Sequence, residues 1–163
     1  MINGERVTLR ARRQDDLPYA EAWFADPDTT RWLLMPYGDG RFRVPEEPLT
    51  FADVLLTIEA DGRPIGTCGL SAGSPEHRRA FAFIAVGDRA YRGRGYGTDA
   101  LRTLVSFGFD EMNLAKVELE VIADNVAAIA LYERVGFVRE VHRRRAIWAH
   151  GAWRDEYLMG LLR

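Results

Sequence analysis

The stretch Arg92-Gly93-Arg94-Gly95-Tyr96-Gly97 constrains this chain more than any other. An apolar run, Phe81 to Val86, precedes it and predicts a buried strand. Behind it, Leu101, Leu104, Val105, Phe109 and Met112 recur on one face and predict a helix. The segment is therefore strand, glycine-rich turn, helix. Glycines at alternate positions leave backbone N–H groups uncovered where the helix begins, and the helix dipole favours an anion there. The turn is built to hold phosphate, and the question is whose.

Three turns compete. A Walker loop needs Lys and then Ser or Thr after its last glycine, and here Thr98 and Asp99 follow Gly97, so that reading fails. A dinucleotide fingerprint needs its first glycine directly after the strand and its third where Thr98 stands; six residues separate Val86 from Gly93. Glu118 and Glu120 lie near the right distance for a ribose-binding acid, which keeps a nucleotide-binding oxidoreductase among the alternatives. The third form is Arg or Gln, two residues, Gly, one residue, Gly or Ala, and Arg92, Gly95 and Gly97 fit it. Further on, the run Lys116-Val-Glu-Leu-Glu-Val-Ile-Ala-Asp-Asn125 leads into a short helical pattern carrying Tyr132, closed by Gly136-Phe137. These two signatures, in this order, resemble the GNAT superfamily of acetyl-CoA-dependent N-acetyltransferases. The texture from Arg6 to Met159-Gly-Leu-Leu is most similar to its ribosomal-protein (RimJ/RimL-like) branch, and the likeness is weakest between Pro36 and Pro48.

The resemblance implies an α+β fold in one domain, residues 1–163. It consists of a twisted mixed sheet of about seven strands flanked by helices, whose central parallel pair, Phe81–Val86 and Val117–Ile122, splays apart to admit coenzyme A. It also implies site residues. Backbone N–H groups of Gly93, Arg94, Gly95, Tyr96, Gly97 and Thr98 would hold the pyrophosphate, with Arg92 and Arg94 adding charge. Ile84 and Val86 would pair with the pantetheine amides, and Val86 or its neighbour would offer an N–H to the developing oxyanion. Asn125 would cap the Tyr132 helix and touch the cofactor. Tyr132 would protonate or hydrogen-bond the leaving thiolate; its helical neighbours Ala128, Leu131 and Val135 form a core stripe, so an ordinary buried tyrosine is the competing reading. Many relatives carry a Glu early on the fourth strand, where this chain has Phe81. Glu118, Glu120, His142 and Asp155 are the substitutes for the missing base, although the two glutamates equally suit the polar alternation of a half-exposed strand.

Composition sets limits. With 47% apolar and 28% charged residues, 163 residues suit one globular domain. A net charge of −2 gives no reason to expect nucleic acid or an anionic membrane as partner. One cysteine, Cys68, excludes an internal disulfide, fits a reducing cytoplasm and reads as a buried structural thiol. No run is long and apolar enough to span a membrane, and no metal-ligand cluster stands out.

In chain order, Val7 to Ala11 predicts the first strand, and Asp15 caps a helix with Leu17, Ala20, Trp23 and Phe24 as its apolar stripe. Asp26-Pro27 ends it, and a further turn is expected over Thr30 to Leu34. Pro36, Gly38, Gly40, Pro45 and Pro48 interrupt the segment that in relatives lines the acceptor pocket, which leaves the acceptor class open. Asp61-Gly62 predicts a hairpin turn, Ser71 to Arg79 a loop, and Arg143–Ala149 with Trp153–Leu161 a closing hairpin whose Trp148, Trp153 and Tyr157 supply aromatic core. The function expected is acetyl transfer to a primary amine, a protein N-terminus or a small molecule, by a monomer or homodimer. The alternative is a non-catalytic acyl-CoA-binding or sensory module of the same fold, which the loss of a glutamate at Phe81 keeps in view.

Overall fold

The computed structural model describes residues 1–32, 54–74 and 76–163, so the expectations for Pro36–Pro48 and for the turn beyond Trp32 lie outside the described residues. The strands are β1 (Ile2–Asn3), β2 (Thr8–Ala11), β3 (Val54–Ala60), β4 (Arg63–Ser74), β5 (Arg79–Val86), β6 (Lys116–Ile122), β7 (Val138–Ala149) and β8 (Ala152–Leu162). The helices are α1 (Leu17–Ala25), α2 (Pro27–Thr30), α3 (Tyr96–Asp110) and α4 (Val126–Val135). Among the described residues the strands form one sheet in the order β1-β2-β3-β4-β5-β6-β8-β7. The mixed α+β architecture is as expected, with eight strands rather than about seven because the two-residue β1 pairs with β2.

Every pairing is antiparallel except β5 with β6. That parallel contact has three rungs, Arg79 with Lys116, Ala80 with Val117 and Phe81 with Glu118. β5 then runs on to Val86 and β6 to Ile122 without pairing to each other. The sheet is therefore split from Phe81 onward, and the wedge opens toward the turn that starts α3.

Strand alternation explains where the core lies. Leu9, Ile58, Cys68, Leu70, Ala82, Val117 and Leu119 share one face and are buried under Leu101 and Leu104 of α3. Each such fully buried aliphatic side chain contributes about 1.5–3 kcal/mol. Cys68 belongs to this core, and burial pushes its thiol up to about 12, which suits a structural role. The opposite face carries Arg10, Thr57 and, from β6, Glu118. There Arg10 donates two hydrogen bonds to Asp16, at 2.7 and 2.8 Å, and a third to Glu59 at 2.5 Å.

Four local expectations are corrected. Asp15 does not cap α1: the residue before the helix is Asp16, whose carboxylate makes no cap bond to it but accepts the Arg13 N–H at 2.8 Å across the 3-10 turn that leads into α1. Within Ser71–Arg79, β4 runs on to Ser74 through an irregular register and β5 starts at Arg79, with a turn over 76–78 between them; small polar residues on a strand end resemble a loop in composition. The closing hairpin is longer than expected, with β7 beginning at Val138. Trp148 and Trp153 are not core: they are 46% and 54% exposed and meet edge to face at 5.4 Å near the hairpin turn. Such a cross-strand aromatic pair stabilises a hairpin without any helix covering it.

Candidate active site

The site starts from the turn between β5 and α3. Gly93 and Gly95 hold φ of 69° and 88°, left-handed values that a side chain at either position would strain. Gly95 is the residue before the helix, and Gly97 lets α4 close in, since a Cβ there would stand 3.0 Å from Leu131. Among the described residues, the backbone N–H groups of Gly93, Arg94, Gly95, Tyr96, Gly97 and Thr98 have no hydrogen-bond partner. A run of unpaired amides at the start of a fifteen-residue helix is a concentrated anion-binding cradle. The carboxylate of Asp99 is turned away from it. It accepts the N–H groups of Glu5, Arg6 and Val7 at 3.2, 2.7 and 3.0 Å, fastening the N-terminal segment to the first turn of α3.

The β5 edge leads into this cradle. The Ala85 carbonyl lies against the Gly66 backbone and so faces β4. Alternation then turns the N–H and C=O of Ile84 and Val86 to the other edge, the one that borders the wedge. Ile84 and Val86 are both half-buried there.

Arg92 opens the turn, but its guanidinium points back into the protein. Its Nε donates to the Val86 carbonyl at 2.8 Å, and Nη2 donates to the Gly87 carbonyl at 2.8 Å and to Thr29 Oγ1 at 2.6 Å. Arg94 is exposed, with Nη1 donating to the Ala90 carbonyl at 3.1 Å. Two cations that the sequence did not single out also reach the turn. Arg6 donates to the Arg94 carbonyl at 2.5 Å and lies over the Tyr96 ring at 4.5 Å, while Arg134 Nη1 is 3.5 Å from Thr98 Oγ1. The sequence signal for Arg134 is its charge in the last turn of α4, and Arg6 carries no signal beyond its charge.

Tyr132 is on α4, the helix that packs against Gly97 through Leu131. Asn125 caps that helix by accepting the Ala128 N–H at 3.2 Å, and Gly136, with φ of 116°, ends it. Phe137 folds back so that its ring lies 6.2 Å from that of Tyr132. Tyr132 is buried, its hydroxyl makes no hydrogen bond with a described residue, and burial pushes its pKa up to about 12. The group is therefore a neutral O–H donor at physiological pH. The structure accommodates both readings of Tyr132, a core ring and an uncommitted hydroxyl.

The four candidate bases are all engaged. Glu118 stands opposite Phe81 on the last parallel rung, buried, with Lys116 Nζ at 2.9 Å and Arg79 Nη1 at 3.3 Å. Glu120 pairs with Arg143 at 2.6 Å, and His142 with Asp155 at 2.8 Å. The Arg145 N–H and His142 hold Asp155 below the usual carboxylate range. A further carboxylate, Glu156, was missed. It is buried opposite Ile122 at the open end of β6, its pKa is raised by burial, and Arg143 donates to it at 2.9 Å. Strand alternation along β8 was the signal that placed it beside Glu120. Among the described residues, no group of three or more His, Cys, Asp or Glu side chains could hold a metal ion, and no helix is long and apolar enough to cross a membrane.

Comparison with known proteins agrees with this geometry. A family model described as "Acetyltransferase (GNAT) domain" matches residues 6–138. The spermidine N(1)-acetyltransferase of Escherichia coli (strain K12) is 27% identical over 169 residues, covering 98% of this chain and 87% of that protein. The N-alpha-acetyltransferase RimI of Mycobacterium tuberculosis is 47% identical over 100 residues, covering 60% of this chain and 59% of that one. In fold, the chain is similar to the crystal structure of spermidine N-acetyltransferase from Vibrio cholerae in complex with CoA and spermine. The TM-score is 0.82, with 24% identity over 96% of this chain and 95% of that one.

Proposed function

Given that the chain belongs to the GNAT acetyltransferases, an acyltransferase family with acetyl-CoA as co-substrate, we propose that it moves the acetyl group to a primary amine by direct attack. The observation that carries this reading is the run of unpaired amides from Gly93 to Thr98 where the β5–β6 wedge opens. In this reading the amides take the pyrophosphate, with Arg94 near it, and the freed edge of β5 at Ile84 and Val86 meets the pantetheine as an added strand would. Val86 N–H supports the oxyanion, an oriented donor that needs no reorganisation. Tyr132 donates a hydrogen bond to the departing thiolate, and Asn125 orders the start of its helix.

The acceptor is an amine, with a polyamine as first choice because a relative that matches nearly the whole chain acts on spermidine. A protein N-terminus is the second choice, resting on the shorter RimI match. A lysine-like amine near pKa 10.4 is neutral in only about one molecule in a few thousand at pH 7, a handicap of roughly 4–5 kcal/mol. Since Glu118 and Glu120 are committed to ion pairs, and His142 and Asp155 are hydrogen-bonded to each other, the proton leaves through water rather than to one of them.

Acetyl-CoA binding tests the core of this reading. Ligand held only by the native state raises Tm, and Gly95→Glu places a carboxylate against the phosphate site. The left-handed φ of 88° adds a cost of about 1–2 kcal/mol. The variant is therefore expected to fold with a lower Tm and to show no shift with acetyl-CoA. Normal acetyl-CoA binding by the variant would overturn the phosphate assignment.

A further inference from the structure

The first residue of the phosphate-turn motif turns most of its donors onto the protein. Three of the five guanidinium N–H donors of Arg92 are spent on the Val86 carbonyl, the Gly87 carbonyl and Thr29 Oγ1. Gly87 is confined from the other side by the Trp23 ring of α1, which occupies the space a Cβ would need. Thr29 in turn donates to Asp26 Oδ2 at 2.8 Å, and Asp26 caps α2 by accepting the Asp28 N–H at 3.1 Å. Arg89 closes the arrangement, donating to both oxygens of Asp26 at 2.6 and 3.1 Å and to Asp28 at 2.7 Å. The corner between α1 and α2 is thus fastened to the exit of β5 by two arginines of the turn.

Resting on the function proposed above, we propose that Arg92 is a positioning residue, which fixes the peptides on either side of Gly87 and so aims the Val86 N–H at the reacting carbonyl. The fork of one guanidinium spans two carbonyls and a hydroxyl from a separate helix, which a lysine ammonium on a flexible stem does not reproduce. The role differs from phosphate binding in what it changes: orientation at the thioester affects kcat, whereas a lost phosphate contact affects cofactor affinity.

The test compares Arg92→Ala, Arg92→Lys and Thr29→Val for CoA affinity and for steady-state acetyl transfer. Arg92→Ala is expected to lower kcat by about tenfold to a hundredfold, with CoA affinity within about twofold of the parent protein. Arg92→Lys recovers little of this loss. Millimolar guanidinium restores part of the kcat of Arg92→Ala and leaves Thr29→Val unchanged. Thr29→Val lowers kcat in the same sense but less, and adds nothing once Arg92 is Ala. CoA affinity that falls by tenfold or more with kcat preserved at saturation would make Arg92 a phosphate ligand through Nη1 and overturn the proposal. Unchanged kcat and affinity in Arg92→Ala and in Thr29→Val would overturn it as well. Thr29→Val decides the same question if Arg92→Ala does not fold. Failure of the parent protein itself to bind CoA or to turn over would instead count against the function proposed above.

Discussion

Tyr132 is where a single side chain decides between chemistry and packing. Its ring belongs to the core beside Phe137, while its hydroxyl, pushed up to about 12 by burial, has no described partner. At neutral pH it holds its proton and, in the proposed function, donates a hydrogen bond to the departing thiolate; complete transfer to a thiolate whose thiol has a pKa near 8.5 would cost roughly 5 kcal/mol. Tyr132→Phe keeps the ring and so leaves Tm nearly unchanged. It is expected to lower kcat by about 10²–10⁴ with little change in the acetyl-CoA KM. Near-normal kcat in this variant would make Tyr132 a core residue only. Residue types and spacing made the glycine turn, the Asn125 cap and the Gly136 stop readable in advance. The direction of the Arg92 side chain was not readable, because its partner Thr29 is 63 positions away and a flexible guanidinium takes whatever acceptors the fold brings near. Trp148 and Trp153 were misjudged for a related reason: aromatic character does not say whether any helix covers the strand.

Among the elements, α1 depends on one buried ion pair. Asp16 accepts from Arg10, from the Arg13 N–H and from Thr57 Oγ1 at 2.9 Å, and the Arg10 guanidinium above all holds its carboxyl well below the usual range. A depressed carboxyl gives stability that is fully present above its unfolded value near 3.9 and is lost as pH falls through the folded value. Asp16→Asn leaves Arg10 with Glu59 as its one remaining counter-charge among the described residues and is expected to cost up to about 3 kcal/mol at neutral pH. Thermal melts against pH check this: the Tm gap between parent and variant narrows as pH falls below about 4. A gap that stays constant down to about pH 2 would show that the pair contributes no charge-dependent stability. Strand and helix periodicity predicted β3 to β6, α3 and α4 closely, and Asp61-Gly62 marked its hairpin. The errors fell at element ends, where β1, Ser71–Ser74 and the Asp16 turn are held by backbone pairing or by a distant arginine.

For the whole molecule, the governing feature is a sheet that parts after the rung between Phe81 and Glu118. Nothing in the composition of β5 or β6 encodes that parting; the likeness to a family implied it, and the register displays it. In the proposed function the parted edge, the unpaired amides of the turn and the Tyr132 hydroxyl serve one ligand, an acyl thioester with a phosphate tail. The most direct measurement is initial thiol release from acetyl-CoA against a panel of amines, including spermidine and short peptides with free N-termini, at several pH values. At least one primary amine is predicted to raise the rate well above hydrolysis. With the proton leaving through water, that rate should still be climbing above about pH 9. Tight acetyl-CoA binding with no acceleration by any amine would contradict acetyl transfer and leave a binding module in the shape of an enzyme.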